Sequence, residues 1–172
     1  MQYYKFLDLE FEHVSAKLKN FYLKNESMFK TFWTHISMTN LMKECPELQE
    51  MFNPLGITIK TVAFVKTTKP ISEIHRDYTI YSTRINLPIL NCDLTETKFY
   101  TTTKEPEKLL LPNGITYLSF KEEDCLQVDS LCLSKPALIR IQELHQVCSY
   151  NPKLPRVSCT IGFHENIEHL WQ

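Results

Sequence analysis

The spacing of hydrophobic residues changes once along the chain, near residue 56. Up to about Phe52, apolar positions recur at three- and four-residue steps. Phe11, Val14, Leu18, Phe21 and Tyr22 form one stripe with Lys and Glu between them. That period lines up one face of a helix and predicts a core-facing aromatic surface over the stretch from Phe6. Met28-Phe29-Lys30-Thr31-Phe32-Trp33 is too evenly apolar to show a period. Thr39-Asn40 reads as a helix start, because its side-chain oxygens can accept first-turn amides, and Pro46 suits the opening of Glu47 to Phe52. Asn53-Pro54-Leu55-Gly56 ends the helical part.

From Ile57 the period is two. Ile57 to Val65 alternates and is β-branched, Tyr78 to Leu90 is a long strand interrupted by Pro88, and Thr95 to Thr103 alternates threonine, lysine and aromatic residues. Lys104 to Lys108 reads as an exposed loop and Pro112-Asn113-Gly114 as a turn before Ile115 to Phe120. Further strands are expected over Asp124 to Leu133, Ala137 to Val147 and Arg156 to Phe163. Short strands at even spacing with no helices between them predict an antiparallel sandwich or barrel.

A length of 172 residues fits one domain with a real core. We divide it into a helical buttress (1–55), a β core (56–164) and a tail (165–172). Nineteen basic against twenty acidic residues leave a net charge of −1, which supplies no general attraction to nucleic acid or an anionic membrane. The six cysteines Cys45, Cys92, Cys125, Cys132, Cys148 and Cys159 form no C-x-x-C pair. The start lacks a secretory leader pattern, and no apolar run approaches the ~20 residues that cross a bilayer. Free thiols in a reducing cytoplasm are the expectation.

Chemistry concentrates in Ser72-Glu73-Ile74-His75-Arg76-Asp77. In an extended chain residues i and i+2 share a face, so His75 and Asp77 can offer an imidazole and a carboxylate to one ion. His145 can supply a third ligand, and two histidines with one carboxylate suit a non-haem Fe(II) site with open positions. Arg156 follows His145 by eleven residues at the mouth of the last strand, where a guanidinium can grip a carboxylate with two hydrogen bonds. Each residue also has an ordinary structural role open to it. His13, His35, His164 and His169 have no partner at ligand spacing, Cys148 sits at the wrong strand parity to join His145, and Tyr78, Tyr81 and Tyr100 are either pocket-lining or core.

The order His75-x-Asp77, His145, Arg156 resembles the Fe(II)/2-oxoglutarate-dependent oxygenases. Arg84 and Asn86 follow His75 by nine and eleven residues, the spacing of an Arg-x-His pair in aspartyl/asparaginyl β-hydroxylase-like members, with Asn86 in the histidine's place. The resemblance spans roughly Gly56 to His164. It implies a mainly β (α+β) double-stranded β-helix, the cupin-like jelly roll, with ligands meeting at one open end. It implies that His75, Asp77 and His145 bind Fe(II), that Arg156 binds the distal carboxylate of 2-oxoglutarate, and that Arg84 and Asn86 contact its other end. O2 would complete the reaction, hydroxylating a C–H group with succinate and CO2 as co-products. The substrate is not specified, with a peptide or amino-acid side chain ahead of small metabolites and nucleobases. Thr39 to Asn53 and Lys104 to Asn113 are the expected substrate rim. The alternatives are a non-catalytic cupin-like module binding metal or a small acid, and a metal-dependent cupin isomerase.

Overall fold

The computed structural model describes residues 1–77, 79, 81–110, 116–151 and 153–172, with Thr116 and Tyr117 described in their backbone alone. Two six-stranded antiparallel sheets face each other. One runs in the order β1 (Tyr4–Phe6), β10 (Ala137–Arg140), β5 (Thr83–Leu90), β12 (Arg156–Phe163), β3 (Ile59–Thr67) and β2 (Trp33–Ile36). The other runs β7 (Glu107–Leu110), β8 (Thr116–Phe120), β4 (Ile74–Asp77), β11 (Leu144–Ser149), β6 (Thr95–Thr101) and β9 (Leu126–Leu131). The chain crosses between sheets from β3 to β4 to β5 to β6, then again from β9 to β10 to β11 to β12. Those two runs pair in nested fashion, β3 with β12, β4 with β11, β5 with β10 and β6 with β9. This is the jelly roll.

The alternation in β12 explains how one strand serves two compartments. All eight residues are buried. Val157, Cys159, Ile161 and Phe163 join the core between sheet and helices, while Arg156, Ser158 and Thr160 turn to the inside of the sandwich. A central strand covered on both faces needs this double lining. The helical core brings Val14, Leu18, Phe21 and Tyr22 of α1 (Glu12–Lys24), Leu41 of α2 (Met38–Glu44) and Leu48 of α3 (Glu47–Glu50) against Phe64, Ile85, Leu87 and Leu138. Truncating one of the fully buried leucines, such as Leu18, would cost about 2–5 kcal/mol.

A second cluster, with Phe99, Leu131, Leu133, Ala137 and Ile139, fills the interior on the β9 and β10 side, where Tyr3 and Tyr4 stack on Phe99 at 5.3 and 6.0 Å. The interior beside β3 and β4 is left as a cavity.

Several expectations change, among them the loop at Lys104 to Lys108, which enters β7 at Glu107, and the strand over Ala137 to Val147, which splits into β10 and β11 of different sheets. The helical stretch from Phe6 to Phe52 is broken by β2, and Tyr4–Phe6 is an edge strand. Apolar residues around Trp33 serve β pairing as well as helix packing, and the available partner, β3, decides. Pro88 does not interrupt β5. It pairs with Ser158 at a register shift between Val157 and Ser158, which accommodates the missing proline N–H. The tail is tied down: Ile167 is buried, and the Glu168 carboxylate takes hydrogen bonds from Ser82, Thr83 and Arg140. The turn expected at Pro112-Asn113-Gly114 and the role expected of Tyr78 lie outside the described residues.

All six cysteines are unpaired. Among the described residues no helix is long and apolar enough to cross a membrane.

Candidate metal centre

His75 and His145 are direct cross-strand partners, so both side chains leave the same face of the β4–β11 pair. Their rings lie 4.4 Å apart, centroid to centroid. Asp77, two residues along β4, shares that face, and its Oδ1 is 3.7 Å from His75 Nε2. The three ligand atoms all fall within 4.8 Å of one another, a spacing that small side-chain rotations close around a single cation.

Each imidazole is aimed by its own strand. His75 Nδ1 donates to the Glu73 carbonyl and His145 Nδ1 to the Glu143 carbonyl, both at 2.9 Å. A carbonyl only accepts, so Nδ1 carries the proton and Nε2 keeps the lone pair a metal needs. Burial pushes the His145 imidazole down to about 4, and the neighbouring His75 adds to this against the opposing pull of Asp77. The ring is therefore neutral at ordinary pH, which is its ligating form. Two imidazoles and a carboxylate on one side of an ion are a fitting donor set for Fe(II).

The donors open into a cavity of about 860 Å³, which also receives Arg84, Asn86 and Arg156. All six residues singled out from the sequence thus share one space. Arg156 is only 3% exposed, and its Nε has no hydrogen-bond partner. Among the described residues no carboxylate lies within ion-pair distance of it. Thr67, its cross-strand neighbour, also buries an unpartnered hydroxyl, as Asn86 does its Oδ1. Buried polar groups are normally paired, so unpaired ones facing a cavity mark where a polar ligand belongs.

Arg84 lies between two rings, its guanidinium 5.0 Å from the Tyr81 centroid and 6.0 Å from that of Trp33. Burial draws its pKa down, while Asp77 and Tyr81 pull it up. Gly162 makes room: a Cβ there would stand 2.7 Å from Arg84 Nη1 and from Thr61 Oγ1. Tyr81 packs on Arg84 and against the second core cluster without lining the cavity, and Tyr100 faces away and donates to Gln146 at 2.7 Å. Cys148 also faces away from His145, toward Gln146 Oε1, as strand parity predicts.

Sequence reasoning missed Thr67, Trp33, His35 and Gly162. Thr67 could have been found from the alternation Thr61, Ala63, Val65, Thr67, but Trp33 and His35 were hidden by the helical reading. Besides the strand residues that face it, the cavity is lined by residues between Glu26 and His35 and between Val65 and Glu73, and no residue from Thr39 to Asn53 or Lys104 to Leu110 contributes to it. The rest of that second segment, 111–113, lies outside the described residues. No protein-family model matches the sequence, and a search of curated proteins finds no significant match.

Proposed function

We propose that the protein is an Fe(II)/2-oxoglutarate-dependent hydroxylase acting on a C–H group, with succinate and CO2 as co-products. The observation that carries this reading is one cavity holding both a facial set of three donors and a buried guanidinium without a carboxylate partner. Iron with its co-substrate and O2 would supply the oxidising chemistry, for which side chains have no substitute.

The tasks of the chain's own residues follow from their positions. His75, Asp77 and His145 would hold the metal ion from the wall of the cavity. Arg156, with Thr67 beside it, would offer a planar fork to one carboxylate of a dicarboxylate. Arg84, held flat by Tyr81 and Trp33, neutralises the near end, and Asn86 offers its carboxamide next to it. Val65, Ile139, Ile141 and Val147 line the same space and limit the water that reaches it.

The test is succinate formation from oxoglutarate with added Fe(II). Asp77→Ala and Arg156→Ala should each lower it by about 100-fold or more, on the scale of losing an essential ligand or charge contact. Equal turnover in the parent and both variants would refute the reading.

A further inference from the structure

We infer that the outer edge of β2 is a docking strip for an extended, acidic peptide whose alternate side chains enter the cavity. As a statement of substrate class this rests on the hydroxylase reading, while the docking itself does not.

β2 ends its sheet. The Lys66 amide donates to the Phe32 carbonyl at 2.9 Å, which sets the phase of the β2–β3 ladder. Phe32 with Lys66 and Thr34 with Phe64 exchange bonds, so Trp33 and His35 turn their amides and carbonyls outward. The Trp33 carbonyl accepts from the Thr31 hydroxyl at 2.8 Å. Among the described residues nothing bonds the outward amides of Trp33 and His35 or the His35 carbonyl.

The same two residues send their side chains into the cavity. A segment pairing with this edge would lie about 4.8 Å away, and its period of two would point every second side chain toward the metal ligands.

The other edges carry devices that block pairing. Lys5 sits on β1, Glu107 and Lys108 on β7, and Asp129 with a nearby register shift on β9. β2, Trp33-Thr34-His35-Ile36, carries no formal charge, proline or register shift.

Charge selects the partner. Five lysines and arginines line the cavity, Lys30, Lys66, Lys69, Arg84 and Arg156, against three carboxylates, Glu26, Glu73 and Asp77. Lys66 is paired with Glu26 at 3.7 Å, while Lys30 and Lys69, exposed beside the strip, have no ion-pair partner among the described residues. Acidic side chains complement that rim.

The experiment selects a random peptide library on the metal-loaded full chain and measures binding of the enriched peptides by fluorescence anisotropy. Enriched peptides should be rich in Asp and Glu. N-methylating a backbone amide that donates to the strip should weaken binding roughly three- to tenfold, with the effect recurring at every second residue. The double variant Lys30→Glu, Lys69→Glu should lose the acidic preference. No enrichment, enrichment without acidic excess, indifference to N-methylation, or binding of a dT oligonucleotide in place of peptides would each overturn the inference. Acidic peptides that bind as described without oxoglutarate turnover would uphold the docking and refute the hydroxylase. Turnover in a protein that binds no peptide would do the reverse.

Discussion

Replacing Arg156 by methionine should stabilise the ligand-free protein and abolish its response to oxoglutarate, two effects of opposite sign from one side chain. Arg156 is 3% exposed at the start of β12, with an unpartnered Nε and no carboxylate in reach among the described residues. A buried charge without a counterion carries a desolvation cost, and replacing buried ionic groups by apolar side chains of similar volume gains up to about 1–4 kcal/mol. The guanidinium borders the cavity and is not enclosed on all sides by apolar groups, so the gain should fall near the low end, about 1 kcal/mol. In a chain of this length that raises the melting temperature by roughly 2–4 °C. Oxoglutarate at a hundred times its dissociation constant should stabilise the parent by about 2.7 kcal/mol and the methionine variant not at all. Thermal unfolding of Mn(II)-loaded protein, with and without oxoglutarate, reads both effects. A variant less stable than the parent by more than about 1 kcal/mol that keeps the full oxoglutarate shift would refute the reasoning.

Gly162→Ala should lower oxoglutarate turnover about tenfold by displacing Arg84, and should add little in an Arg84→Ala background. A double-mutant cycle on turnover measures that coupling. His145→Ala should lower metal content in equilibrium dialysis by about ten- to a hundredfold in affinity or more, whereas Cys148→Ala, on the other face of β11, should leave it unchanged. Burial pushes the Glu168 carboxyl up, but hydrogen bonds from Ser82 and Thr83 and the charge of Arg140 outweigh it and hold the group below the ordinary carboxylate range. Its stabilising contribution is therefore present above about pH 4.3 and lost as pH falls through the lowered value. Glu168→Gln should flatten the acid limb of a plot of unfolding midpoint against pH. An unchanged acid limb would show that the carboxylate is not tied down by these partners.

The antiparallel β architecture and the pairing of His75 with Asp77 were legible because both depend on local parity. Alternation from Ile57 onward survives folding as strands, and the i, i+2 relation of His75 and Asp77 holds wherever the chain is extended. Their meeting with His145 is a matter of register between distant strands, which local pattern does not encode; His145 is reached only through the need for a third donor. β2 was illegible for a related reason. Its four residues lie between helical segments, and their strand form depends on β3, which starts 23 residues after β2 ends. Gly162 and Thr67 matter only through neighbours across the sheet, Arg84 and Arg156, so a linear reading assigns them nothing. The tail was illegible because Glu168 finds its partners on β5 and β10 and in the turn before β5.

The backbone carbonyls of Glu73 and Glu143 each accept a hydrogen bond from an imidazole only two residues away, so part of the aiming of each ligand is written into its own short peptide. Glu73 to Asp77 and Glu143 to His145, set side by side with the histidines opposed, bring all three candidate donors onto one two-strand unit. Grafted onto an antiparallel pair, these eight residues should bind divalent transition metal only where the new host also buries the second imidazole as this sandwich does.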